Sequence, residues 1–335
     1  MVLAKFLAKN QTNCGRTQIF QIMKLNLPVC LHFTPDEVLV CGFRTISRLP
    51  EITTENCTPK NIKKFKNHFG NTPAEIAYVW SDALRTEIDL GLDPSDMSEK
   101  GFKKILTAIH FLWAYPKNNG LLSATCTTCK RLVEGENLWK YVKAIAKLKE
   151  LVITWPETTY NDPLGQTFLG TVDGVDFKTR EKTSEKFNKD PATMTHKHNH
   201  GGLKYEIMVD AYHPKIVWIN GPFRGGVGDK TIFLSALAKK IPHGKLVVTD
   251  GVYSNKKDDN YQSMLSMPNM CDSKKLHNFK VGLKSCHEGV NGKLVKYRAL
   301  NTTYHHAHAN HVYIFEAICC LVQYSMNHGS PIFDA

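Results

Sequence analysis

The chain has 335 residues, 42% of them hydrophobic, enough for about two domains with filled cores, which excludes a disordered tail. Lys and Arg number 43 against 31 Asp and Glu, a formal charge of +12, so either a polyanionic partner or plain solubility accounts for the excess. Ten cysteines scattered through apolar segments read as reduced, intracellular usage. Lys5, Lys9 and Lys24 interrupt the early apolar residues, and the most apolar stretch, 311–325, falls short of the roughly 20 residues a bilayer needs, so neither a secretory leader nor a membrane role is expected.

Residues 1–35 give little periodic signal, and 1–57 stand as a poorly specified N-terminal segment. Over 58–155 the pattern is helical. Thr58-Pro59 opens one helix, with Lys60, Lys63, Lys64 and Lys66 on a basic face and Ile62, Phe65 and Phe69 on an apolar one. Thr72-Pro73-Ala74-Glu75 has the cap, the proline and the returning glutamate of a helix entry. Ser98 starts another helix, which Pro116 ends. Leu121 to Leu132 and Leu138 to Leu151 make two more around Gly135, a pairing compatible with a helix-turn-helix. Cys126 and Cys129 have zinc-knuckle spacing, but no second ligand pair follows, so two small helical residues are the plainer account.

At Trp155-Pro156 the texture changes, and a domain of strand-length apolar runs is expected over 165–335. Phe168 to Phe177, Leu203 to Tyr212, Lys215 to Asn220 and Lys245 to Asp250 read as strands. Asp229 to Lys240 reads as a helix capped by Asp229, and Lys275 to Tyr297 and His308 to Met326 as closing helices. Antiparallel-type strands, a helix, a further strand and then helices describe an α/β fold: a ribonuclease H-like mixed sheet flanked by helices, with the helical, helix-turn-helix-like region before it.

Two acids lie in or at the end of apolar strands, Asp173 and Asp250, where an unpaired carboxylate is costly. Each either caps a turn or binds a metal. Glu288 lies on a helix whose stripe of Phe279, Leu283, Cys286, Val290 and Leu294 is expected to be buried, which puts Glu288 beside that stripe with Gly289 and Gly292 around it. Those glycines imply a close approach or a poor helix. Lys284, one turn earlier, is placed to meet phosphate or to pair with Glu288. The histidines at 305, 306, 308 and 311 read as surface groups at a helix start, and those at 196, 198 and 200 alternate in a loop with no fixed face; none is assigned as a ligand.

The ordered blocks Gly170-Thr-Val-Asp-Gly-Val-Asp-Phe177, His196-Lys197, Gly202-Leu-Lys-Tyr-Glu-Ile207, Val217-Trp-Ile-Asn-Gly-Pro-Phe223, Val247-Val-Thr-Asp250 and Glu288-Gly-Val-Asn-Gly-Lys-Leu294 resemble the catalytic domain of PIF/Harbinger-type DDE transposases. The resemblance runs from about Phe168 to the C-terminus. It implies that Asp173, Asp250 and Glu288, separated by 77 and 38 positions, form a catalytic triad holding two Mg²⁺ or Mn²⁺ ions for in-line cutting and joining of DNA phosphodiesters. It gives Asp229 a supporting role and Asp176 a place behind the site, because Asp176 points to the other strand face. DNA contacts are expected from His196, Lys197, Lys284, Lys293 and Lys296, within the basic stretch 256–298 for the last three. Transposon ends and target DNA, a separate DNA-binding partner protein, a homo-oligomer in the active state and residence in the nucleus are the further implications. The sequence departs from the family where Gly251-Val252-Tyr253 follows Asp250 in place of Arg-Gly-Tyr, so a domesticated, non-cutting DNA-binding protein is the alternative expectation.

Overall fold

The computed structural model describes residues 32–46, 49–116, 137–162, 165–180, 191–195, 200–213, 215–253, 263–329 and 331. The expected helix from Leu121 to Leu132, the Cys126/Cys129 pair and the His196-Lys197 pair lie outside these residues. In chain order the helices before the sheet are α1 (Pro35–Thr45), α2 (Pro59–Phe69), α3 (Pro73–Arg85), α4 (Glu99–Ala114), α5 (Asn137–Lys147) and the single turn α6 (Lys149–Val152). Then come β1 (Tyr160–Asn161), β2 (Thr167–Lys178), β3 (Met194–Thr195), β4 (His200–Asp210), β5 (Ile216–Arg224), α7 (Asp229–Ser235), β6 (Lys245–Val248), β7 (Leu265–Ser266), α8 (Lys274–Leu294), α9 (Arg298–Asn301) and α10 (His311–His328).

The helix entries follow from local chemistry. At α3 the Thr72 hydroxyl accepts the Glu75 N–H at 3.3 Å while the Glu75 carboxylate accepts the Thr72 N–H at 3.1 Å, the reciprocal pair that the sequence signals. The same device opens α1 through Thr34 and Glu37, a helix that falls in the segment expected to be poorly specified. At α7 the cap position is Gly228, and Asp229 is instead the first helical residue. The stretch expected to continue from Leu138 to Leu151 breaks at Leu148, between α5 and α6.

The sheet is mixed. Its main path runs β3-β4-β2-β6-β7, with β5 on β4 and β1 on β2. Strands β2, β4 and β5 are antiparallel to one another in turn, whereas β6 runs parallel to β2 and β7 parallel to β6. Phe233 and Leu237, from α7 and the turn after it, cover one face by packing with Val172, Met208, Val247 and Tyr253. The other face carries Phe177, Tyr205, Ile207 and Val209, and belongs to a continuous core that reaches through α10 into α1–α5.

α10 is the element that ties these parts together. It is apolar nearly all round, as befits a helix covered on every side. Towards the sheet, Gln323 Oε1 accepts the Ile216 N–H at 2.7 Å. Towards the helices, Asn71 donates to the Leu321 carbonyl at 3.0 Å, Tyr324 donates to Asp82 at 2.7 Å, and Lys149 pairs with Glu316. His311, expected at the surface, is buried: its Nδ1 lies 2.7 Å from the Tyr205 hydroxyl, and Tyr304 packs edge-on against its ring.

Candidate active site

Register brings the first two expected carboxylates to one place. β2 and β6 lie side by side with Thr171 next to Val248, so two residues further on come Asp173, midway along β2, and Asp250, just past the carboxyl end of the parallel β6. Asp173 accepts the N–H of Gly174 at 2.8 Å, and Asp250 accepts the N–H of Val252 at 3.0 Å. The third acid, Glu288, projects as an exposed side chain from α8, which packs on β2.

Their electrostatics agree with this proximity. Burial raises the Asp173 carboxyl to about 6 against the lowering pull of the Gly174 N–H, and the charges of Asp250, Asp229 and Glu288 each push it further. A crowd of like charges around a half-buried acid is what a cation relieves, and an all-oxygen donor set suits a hard ion such as Mg²⁺ or Mn²⁺. The donor chemistry therefore fits. The spacing is looser: among the described residues no three His, Cys, Asp or Glu side chains stand close enough to share one ion.

The buried face of α8 is rotated from the expected stripe. Leu276, Lys280, Leu283, His287, Val290 and Leu294 are buried, while Phe279 and Cys286 are only half-buried. The cause is a neighbour that periodicity cannot reveal. Phe279 stacks on Tyr160 of β1, 3.9 Å between ring centres, at the side of the helix. Lys280 turns inward because its ammonium reaches both Asp272 oxygens at 3.0 Å and the Met267 carbonyl at 3.1 Å. It is thus a structural residue inside the basic stretch, not part of a solvent-facing track. Gly292 has open space where a side chain would stand, so no close approach requires it.

On the sheet face opposite Asp173 lies a buried polar cluster that the sequence did not signal as one. Lys204, cross-strand from Asp176, places its ammonium 3.0 Å from Asp229 Oδ1 and 3.8 Å from Asp176 Oδ1. Asp176 is on the face expected for it, and Asp229, at the start of α7, meets the same lysine. Glu206, two residues along β4, accepts the Trp218 indole N–H at 3.1 Å, and burial raises its carboxyl to about 7. Tyr253 is buried within reach of Asp229, Asp173, Glu206 and Asp250, and desolvation drives its hydroxyl well above the usual range. The signal available beforehand was the presence of Lys204 and Glu206 inside an otherwise apolar strand.

The DNA-contact candidates within the described residues all belong to α8 or its end. Lys284 stands one turn before Glu288, Lys293 is in the last turn, and the exposed Lys296 follows it.

Residues 172–323 match the family model described as DDE superfamily endonuclease. The DDE-like segment contains Asp173, Asp250, Glu288 and the Lys204 cluster, and excludes α1–α6. The match points to transposase-like nuclease chemistry for that segment. Neither a curated protein nor a solved structure matches the chain. No helix among the described residues is long and apolar enough to cross a membrane.

Proposed function

We propose that the chain is a metal-dependent DNA endonuclease and transposase of the PIF/Harbinger type, with a ribonuclease H-like catalytic domain over 165–335 and a DNA-binding helical region over 58–155. The observation that carries this reading is the proximity of Asp173 on β2 to Asp250, just past the end of the neighbouring parallel β6, with Glu288 on the helix that packs on β2, all inside the DDE-like segment. The strand order also supports it: three antiparallel strands in sequence, then two joined in parallel beside the first, are what a ribonuclease H-like sheet requires.

In this reading Asp173, Asp250 and Glu288 hold Mg²⁺ or Mn²⁺. Two such ions, when bound, activate the attacking oxygen and neutralise charge on the leaving one in an in-line displacement. The chain supplies the rest. The Gly174 N–H fixes the direction of the Asp173 carboxylate, and the Val252 N–H fixes that of Asp250. Lys284, Lys293 and Lys296, together with His196 and Lys197, bind backbone phosphates, so affinity falls steeply with salt. Water or a DNA 3′-hydroxyl is the nucleophile, and no covalent intermediate with the protein forms. The substrates are transposon ends and target DNA in the nucleus, with a separate DNA-binding partner protein and a homo-oligomer in the active state.

A second reading is a domesticated protein that keeps the fold and DNA binding without cutting. Two observations favour it: Gly251 and exposed Val252 stand where the family has Arg-Gly, and the three acids are spaced loosely. Nicking of supercoiled plasmid in Mn²⁺ separates the two. The nuclease reading expects nicking by the native chain and none by Asp250→Ala. Absence of nicking by the native chain, or its survival in the variant, favours the second.

A further inference from the structure

A second concave feature lies where the helical layer meets the end of α8. Lys66 from the last turn of α2, Lys293 from the last turn of α8 and Lys296 just beyond it line a cavity of about 80 Å³. Trp113 of α4 and Tyr297 form its aromatic wall.

The wall is held rigidly. The Trp113 indole N–H donates to the Asn67 carbonyl at 2.8 Å, its ring meets Tyr297 edge-on at 5.1 Å, and the Tyr297 hydroxyl donates to Asn71 at 2.5 Å. Gly70, with φ +80°, ends α2 against the indole, where a Cβ would come within 2.3 Å of the ring. The cations are therefore brought together by a preformed scaffold drawn from α2, α4 and α8.

Their charges act on one another. Burial lowers the Lys293 ammonium, Lys296 and Lys66 lower it further, and Glu75 only partly offsets them. Glu75 accepts from the Asn71 amide at 2.8 Å and the Thr72 N–H at 3.1 Å through Oε2 alone, and its buried Oε1 has no hydrogen-bond partner among the described residues. The cavity is small and opens to solvent, with room for a compact group such as one tetrahedral oxyanion.

We propose that this cavity, lined by Lys66, Lys293 and Lys296, binds one backbone phosphate of a DNA duplex and so ties the helical region to the domain that carries the three acids. The inference rests on the DNA-acting reading above and deepens it. Lys293 is five residues beyond Glu288 on α8, a rise of about 7.5 Å, so the cavity and the third acid are carried by one helix. Lys66 is the informative member, because it lies outside the DDE-like segment.

The test is the salt dependence of duplex binding by the full chain. The double variant Lys66→Gln/Lys296→Gln alters side chains at or near the surface, and circular dichroism checks its fold. The slope of log K against log[salt] should fall in magnitude by about 0.9 for each phosphate that the protein no longer neutralises, hence by about 1 here. Lys103→Gln, a lysine paired with Glu99 at 2.7 Å, serves as the charge control and should leave the slope unchanged. An unaltered slope in the double variant, or an equal fall in the control, overturns the proposal. Nicking in Mn²⁺ by the same preparation keeps the two readings apart: nicking with an unaltered slope overturns the cavity alone, and a lowered slope without nicking overturns the nuclease alone. A chain that binds no DNA overturns both.

Discussion

Lys204 lies 3.0 Å from Asp229 Oδ1 and shares the cross-strand position of Asp176, so a single buried ammonium balances two acids on the face of β2 that looks away from Asp173. The pair locks the start of α7 to the centre of the sheet. An ion pair of this kind adds little over an apolar equivalent, but removing one partner leaves the other buried and uncompensated.

Lys204→Met should therefore destabilise the chain by about 3 kcal/mol, measured by chemical denaturation. The double variant Lys204→Met/Asp229→Asn should recover part of that loss, because the orphaned charge is gone. A single-variant loss below about 1 kcal/mol would show that the pair is solvated and carries no such role.

Gly174 makes room for that arrangement. A Cβ at 174 would lie 2.3 Å from Asp229 Oδ1, so the carboxylate has to move away from Lys204 when any side chain is added. Gly174→Ala should cost about 1–3 kcal/mol, typical of overpacking, and this cost should not add fully to that of Lys204→Met, since both disrupt the same ion pair. Full additivity in a double-mutant cycle would refute the shared cause.

Gln323 joins α10 to the edge of β5 by accepting the Ile216 N–H inside the core. Gln323→Leu keeps the volume and strands that donor. The expected cost is about 1–3 kcal/mol, with faster hydrogen exchange at the Ile216 amide as the specific readout. Unchanged exchange there would mean that another acceptor takes over.

The main strands and the position of the acids were legible because they depend on local pattern. The apolar runs around Asp173 and up to Asp250 mark strands, and the Thr72/Glu75 pair marks a helix entry. What was not legible depends on partners distant in sequence. Lys204 is one charge in an apolar strand, and only the sheet register sets it across from Asp176. α8 is rotated because Asp272 draws Lys280 inward and Tyr160 receives Phe279. His311 sat in a histidine-rich run at a helix start, and only the packing of α10 against the sheet puts it under Tyr205.

That burial makes His311 a determinant of acid stability. Desolvation lowers its imidazole to about 3, helped by the charge of His308, whereas in the unfolded chain it titrates near 6.5. A depressed folded value means that the unfolded state binds more protons between about 3 and 6.5, so stability from this group is fully present above about 6.5 and declines as pH falls through that window. The decline approaches about 1.4 kcal/mol per pH unit well inside it. His311→Gln has no proton to gain and should flatten the dependence of unfolding free energy on pH between about 6 and 4, even though it lowers stability at neutral pH by disturbing the Tyr205 contact. Denaturant titrations of both chains at several pH values read the slope directly. Parallel pH profiles for native and variant chains would place the protonation elsewhere in the molecule.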